Sequence, residues 1–409
     1  MIARHDGQVV LVAGAVPGER VAARVERAER RIAFAVVTRV LEASPDRRDG
    51  FTDAACGGCA YSHIAYPRQL ALKGDILRDT FLRIGHIALE QPIAVAGSPE
   101  SGYRMRARFH VHGSRVGFYR EGTHTLCEPQ VTGQLGDGAL DSVNAVVAAL
   151  TDDGYNVVSV ELTEDVAGSQ RALSATIDGG RGGQPRALER VVGGGGLRGC
   201  TVRNQTKRIG DVGEPYVSDA LNDLTRGRAA GSDLRRHAES FFQANRFLVP
   251  DLVAAVIDSV QPEGSILDLY AGVGLFAVAL NAQGKAVTAV EGDPSSGADL
   301  QHNAGALAAG GSGLTVQLGS VEAFLAAASR PDTLIVDPPR TGISPEAMTS
   351  VVRIRPARIV YVSCDPATMA RDARRLLDGG YALTSLRAFD LFPNTPHIES
   401  LGVFDVVGT

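Results

Sequence analysis

The stretch SILDLYAGVGLF, residues 265–276, decides the fold class. A short apolar run, ILDLY, passes through Ala271-Gly272-Val273-Gly274 into an Ala- and Leu-rich segment. That is how a buried strand feeds a helix through a tight turn, where glycines let the backbone approach a ligand closely. Taken alone the loop is a weak signal, since many nucleotide-binding folds carry one. It departs from the dinucleotide pattern GxGxxG at Ala277, a position that tolerates alanine, so spacing leaves NAD open.

Six further strand candidates follow: KAVTAVE (285–291), LTVQLG (314–319), DTLIVDPP (332–339), RIVYVSC (358–364), LTSLRAFD (383–390) and SLGVFDVV (400–407). Helical stretches separate most of the seven, which predicts an α/β domain over 236–409, a parallel sheet covered on both faces. Seven strands ending in a hairpin-like pair are the methyltransferase version of the doubly wound, Rossmann-like fold. Ligands of such sheets bind outside the carboxyl ends of the strands. The candidate residues fall there. Gly272 and Gly274 follow the first strand, and Glu291 ends the second, where an acid accepts both hydroxyls of a ribose. Asp337-Pro338-Pro339-Arg340 ends the fourth, the prolines stiffening the loop that carries the acid. Ser363-Cys364-Asp365-Pro366 ends the fifth. Strands two, one, four and five are neighbours in this fold, so Glu291, Gly272, Asp337 and Cys364 are expected to line one crevice.

A lone cysteine beside an apolar strand is most often a small buried hydrophobe. Cys364 follows its strand at the ligand-binding edge instead, which favours a reachable nucleophile. Glu399, in FPNTPHIE (392–399), reads either as a surface acid next to a strand or as a general base brought to the same crevice.

Ahead of this domain two regions are expected. Residues 1–48 alternate apolar and polar runs, QVVLVAG, ERVAARVERA and IAFAVVTRVLEAS, as a minimal oligonucleotide-binding-type barrel does. The chain begins almost inside its first strand, so a truncated barrel and a true start upstream of Met1 are expected. Residues 49–235 open with Cys56-Gly57-Gly58-Cys59 and a predicted helix, YPRQLALKGDILRDTFLRIG. Strand-like pieces RARFHV, RVGFYR, VVSVELTE and ALSATIDG follow, and GGRGGQ and VVGGGGLRG read as turns or mobile loops.

The composition is that of a globular protein of two or three domains: 409 residues, 44% hydrophobic and 21% charged. It holds no uncharged apolar run of the roughly 18 residues a membrane helix needs, and no secretory layout at its start. A cytoplasmic address and no membrane partner are therefore expected. The odd set Cys56, Cys59, Cys127, Cys200 and Cys364 argues for reduced thiols or metal ligands rather than a disulfide framework. The net charge of −5 gives no global pull toward nucleic acid. Between Tyr103 and Arg120, however, stand five arginines and no acid, a positive stretch that suits phosphates as well as it suits a solvated strand.

The run IVYVSCDPAT (359–368) with Arg371-Asp372 closely resembles the signature of the RNA (uracil-5-)-methyltransferase family. So do FFQAN (241–245), DLYAGVG, DPPR-x-G and the closing FPNTPHIE, in the right order over the whole last region. The first region resembles the family's TRAM domain, and Cys-Gly-Gly-Cys its iron–sulfur segment. The resemblance implies S-adenosylmethionine (SAM) as cofactor, held by Gln243, Tyr270, Glu291 and Asp337 with the glycine loop. It implies Cys364 as nucleophile on carbon 6 of a uridine, Glu399 as base, and an RNA partner, ribosomal ahead of transfer RNA. Cys56, Cys59 and Cys127 match three of the family's four cluster cysteines; Gly50 stands at the fourth, leaving Asp53, or more remotely Cys200, to complete an iron–sulfur cluster. Two other functions compete. An amino-group methyltransferase shares the Asp-Pro-Pro motif, but usually follows it with an aromatic residue where this chain has Arg340. A catalytically dead RNA-binding homologue would not need the intact set of Gln243, Glu291, Asp337, Cys364 and Glu399.

Overall fold

The computed structural model describes residues 1–50, 53–178, 185–308 and 313–408. At its centre lies an eight-stranded sheet in the order Thr315–Leu318, Ala286–Glu291, Ser265–Leu269, Thr333–Val336, Arg358–Ser363, Glu399–Val406, Tyr381–Phe389, Val95–Ala96. The first five run parallel, and Glu399–Val406 is antiparallel to both of its neighbours. All seven expected strands are present, and the hairpin-like pair is Tyr381–Phe389 with Glu399–Val406. Val95–Ala96 adds an eighth from far earlier in the chain.

Parallel strands covered on both faces read as continuous apolar runs. Thr333–Val336 is buried throughout, and Arg358–Ser363 is buried after its first residue. The period-two alternation shares these residues between two cores. Val360 and Val362 pack with helices Val249–Ser259 and Leu275–Asn281. Ile359 and Tyr361 pack on the other face with helices Tyr66–Arg83, Pro345–Ile354 and Pro366–Asp378. Two of these helices start on side-chain caps followed by proline: Ser344 accepts from the Ala347 N–H, and Asp365 from that of Thr368. Segment 66–96 thus packs against the last domain, although in sequence it belongs to the middle region.

The middle region forms a seven-stranded sheet in the order Arg208–Gly213, Leu197–Arg203, Arg171–Asp178, Asn156–Glu164, Arg106–His112, Arg115–Tyr119, Leu126–Cys127. Helix Ala139–Asp152 and a 3₁₀ turn, Arg186–Arg190, cover one face of it. GGRGGQ, residues 179–184, lies outside the described residues, while VVGGGGLRG turns into the strand Leu197–Arg203. The first region is a four-stranded sheet in the order Ile2–His5, Gln8–Ala13, Ile32–Glu42, Arg20–Ala28. No helix of the described residues is long and apolar enough to cross a membrane.

Candidate active site

The strand Ser265–Leu269 ends on Tyr270, a non-glycine residue held at φ 61°. Backbone strain of this kind gathers at functional sites. Gly272 (φ 57°) and Gly274 (φ 94°) turn the chain into the following helix. A Cβ on Gly274 would come within 2.8 Å of Leu300 and Val278, whereas one on Gly272 would meet nothing within 4 Å. The second glycine is therefore needed for packing, and the first leaves open space on the ligand side. Glu291 closes its own strand and folds its carboxylate over this turn, accepting from the N–H of Gly272 and of Asp293, both at 2.6 Å.

One strand over, Asp337 accepts a hydrogen bond of 3.2 Å from the side-chain amide of Gln243. Gln243 arrives on the FFQAN segment, which is laid along the central region by a hydrogen bond from the Met105 N–H to the Ala244 carbonyl and by a bridge between Arg104 and Asn245. Burial pushes the Asp337 carboxyl up to about 7, the Gln243 hydrogen bond opposing it. An acid over a glycine turn, open space above Gly272 and a second acid bound to an amide are donors and acceptors that fit a nucleoside-bearing cofactor such as SAM.

Cys364 follows Arg358–Ser363 and is half-buried. Its relation to Glu399 comes from strand register. The antiparallel pairing of Arg358–Ser363 with Glu399–Val406 closes on Ser363 opposite Ser400. One step further along that ladder stand Cys364 and Glu399. Burial pushes the Cys364 thiol up to about 11, with the charges of Glu399 and Asp337 adding to the shift; Arg340 opposes it by charge and a hydrogen bond. Glu399 is 3% exposed, and its Oε1 has no hydrogen-bond partner among the described residues. Burial, then repulsion from Asp337, raises its carboxyl well above the usual range. A buried carboxylate oxygen without a partner is costly, and functional sites are where proteins retain one.

Sequence reasoning did not foresee what holds the Glu399 loop. Asn394 sits at φ 64°. Its N–H donates to Gln69 Oε1 at 3.0 Å, and its Oδ1 accepts from Gln69 Nε2 and from Arg48, both at 2.9 Å. Its carbonyl accepts from the Tyr61 N–H at 2.8 Å. Lys73, wholly buried, pairs with buried Asp390 at 2.5 Å and reaches the Phe392 carbonyl at 3.2 Å. Asn245 donates to the Leu391 carbonyl at 3.1 Å. The sequence did carry one signal, a glutamine and one of only three lysines four residues apart in a predicted helix, in line with Leu77 on what proves its buried face.

The remaining cysteines form no part of this crevice. Cys56 and Cys127 are joined as a disulfide, while Cys59 and Cys200 are free and buried. Oxygen or sulfur atoms of Asp53, Cys56 and Cys127 lie within 4.8 Å of one another, and Asp53 also pairs with Arg120 at 3.0 Å. A cluster is ligated by thiolates. With two sulfurs bonded to each other and Gly50 bringing no donor, the residues as they stand do not fit one.

Against known proteins, residues 325–406 match the tRNA (Uracil-5-)-methyltransferase family and residues 1–38 the TRAM domain. A protein of Aquifex aeolicus described as an uncharacterized RNA methyltransferase is 31% identical, over 98% of this chain and 95% of its own length. A second, from Gloeobacter violaceus, is also 31% identical, over 98% and 92%. The chain belongs to the RNA (uracil-5-)-methyltransferase family. Among solved structures, the Pyrococcus abyssi tRNA (uracil-54, C5)-methyltransferase in complex with S-adenosyl-L-homocysteine superposes with a TM-score of 0.77 at 24% identity, covering 97% of this chain and 94% of that one. That likeness supports the family's fold over nearly the whole length.

Proposed function

We propose that this protein methylates carbon 5 of a specific uridine in RNA, and that Cys364 carries the base as a covalent adduct during transfer. The observation behind this reading is the neighbouring placement of Cys364 and Glu399, with Asp337 beside them. Carbon 5 of uracil is too weak a nucleophile to accept a methyl group unaided. The Cys364 thiolate adds to carbon 6 and turns the ring into an enolate whose electron density sits on carbon 5. Bound SAM, held by Gln243, Tyr270, Glu291 and Asp337 around the glycine turn, supplies the electrophilic methyl group. Glu399 then takes the carbon 5 proton, the ring electrons return, and the carbon 6–sulfur bond breaks to free Cys364 and the methylated base. The raised proton affinity of Glu399 makes its ionised form a strong base for this step. Arg340, which lowers the cost of the thiolate, is the activating cation. Face-on access to the ring requires a flipped or looped-out uridine.

Ribosomal RNA is the substrate to test first and transfer RNA second, on the combination of a TRAM match with a Cys-Gly-Gly-Cys segment. The setting we propose is the cytoplasm. The decisive experiment for the main reading maps 5-methyluridine in total RNA from a strain lacking the protein. One uridine should lose its methyl group and regain it with the wild-type chain but not with Cys364→Ala. An unchanged map would overturn the proposal.

A further inference from the structure

At its strand Arg106–His112 the seven-stranded sheet of the middle region buries one face. Along Arg106–His112, Ala107, Phe109 and Val111 point into the core, while Arg106, Arg108, His110 and His112 point out. On that outer face aromatic rings gather without a core to explain them. Tyr119 stacks flat on His110, with centroids 3.6 Å apart and planes 8° from parallel. His124 meets the Tyr119 ring edge-on at 5.2 Å, and His112 lies tilted at 5.9 Å. His112 and His124 are exposed, and the stacked pair is half-buried. Burial holds His110 below its ordinary value, and the neighbouring Arg108, His112 and His124 lower it further.

The surrounding charge is positive. Arg106 and Arg108 share one carboxylate, Glu161, at 3.2 and 4.0 Å. Arg115 is exposed and has no ion-pair partner among the described residues. The strand also connects this face to the crevice. The Arg106 guanidinium lies 5.6 Å from the ring of Phe241, two residues before the Gln243 that bonds Asp337. From Arg106 to His112 is about 20 Å at roughly 3.3 Å per residue.

We propose that the His110–Tyr119–His112–His124 cluster is a stacking platform for an unpaired base of the RNA, several nucleotides from the uridine that meets Cys364. Exposed aromatic rings on a sheet, interleaved with arginines, suit single-stranded nucleic acid, because every base offers a π-face and every nucleotide a phosphate. Arg106 and Arg108 lie between the two sites and would meet the phosphates that span them. The inference rests on the RNA-methyltransferase reading, but binding can be measured without methyl transfer.

The test uses the full-length protein and a short single-stranded oligoadenylate carrying one 2-aminopurine, whose fluorescence falls on stacking. Wild-type protein should quench it. Tyr119→Ala should weaken binding about tenfold and lose most of the quenching, as expected for one lost stacked base, and Tyr119→Phe should restore both. His112→Ala/His124→Ala, a change confined to exposed side chains, should weaken binding in the same direction and so guards against a misfolded Tyr119→Ala. With the mapped RNA, KM should rise in Tyr119→Ala while kcat at saturation holds. Equal quenching by wild type and both variants, or none by wild type, would overturn the platform. Quenching as expected without any methylation would instead overturn the functional reading and leave the platform standing.

Discussion

The two walls of the crevice are built in opposite ways. On the cofactor wall, Gly272, Glu291, Asp337 and Cys364 each stand at the end of a parallel strand, and each is placed by the strand that precedes it. On the other wall, Glu399 ends a loop whose conformation is set by Arg48, Gln69, Lys73 and Asn245, from other parts of the chain. A residue on the first wall can be removed and leave the sheet intact. On the second wall, placement of Glu399 and stability are tied together, because the groups that hold its loop are buried polar groups whose partners cannot be lost cheaply.

Substitutions on the two walls should therefore fail differently. The largest effect is expected at Cys364→Ala: methyl transfer falls by roughly 10⁴-fold or more, as for loss of a nucleophile, with SAM affinity by calorimetry and the melting curve close to wild type. Full activity would remove the covalent route. Glu399→Gln comes next, with turnover down by roughly 10² to 10⁴, the range of acid–base catalysis. Here methyl transfer still occurs and proton removal does not, so a denaturation-resistant protein–RNA adduct accumulates. Absence of that adduct, with turnover equally low, would place Glu399 before the methyl-transfer step.

Lys73→Met probes the far wall directly. Leaving Asp390 buried without its cation costs about 3 to 5 kcal/mol, a clear drop in Tm. The loop also loses the hydrogen bond to Phe392, and kcat should fall about tenfold, with KM for SAM unchanged. Pairing it with Asp390→Leu removes the unpaired charge and should recover most of the stability without recovering kcat. Recovery of both would make the pair a structural element only.

That contrast also explains what could be read from the residues alone. The strand order, the crevice and the glycine, acid and cysteine positions follow from local patterns, because in a doubly wound sheet each loop is placed by its own strand. The approach of Glu399 to Cys364 depends on the register of an antiparallel pair, which a hairpin-like reading only implies. The Asn394 clamp lay beyond reach, since its partners are more than 300 positions apart in the chain. Likewise Val95–Ala96 is two residues long, too short to show a period. The cysteines illustrate the limit differently. The family resemblance grouped Cys56 with Cys127, and the fold does bring them together, but as a disulfide and not as the reduced thiols or metal ligands that the odd cysteine count suggested; whether two sulfurs bind each other or a metal is set by redox state and not by sequence.

The smallest expected effect lies at Asp337, between the two walls, and its sign follows from linkage. The folded protein holds the Asp337 proton up to about pH 7, well above the ordinary carboxyl value. Proton binding therefore favours the folded state at low pH, and that stabilisation is lost as pH rises through about 7. Asp337→Asn, which has no proton to lose, should melt a few degrees above wild type at pH 8 and show no such advantage at pH 4. Removing this carboxylate also removes one of the charges that raise Cys364 and Glu399. The reactive thiol of the variant should accordingly be alkylated faster than that of wild type at pH 8, while Cys200, pushed up to about 12 by burial in a separate core, should not change. An unaltered alkylation profile would mean that Asp337 does not act on Cys364 electrostatically, and that the cofactor wall is as independent of the catalytic pair as its strands make it appear.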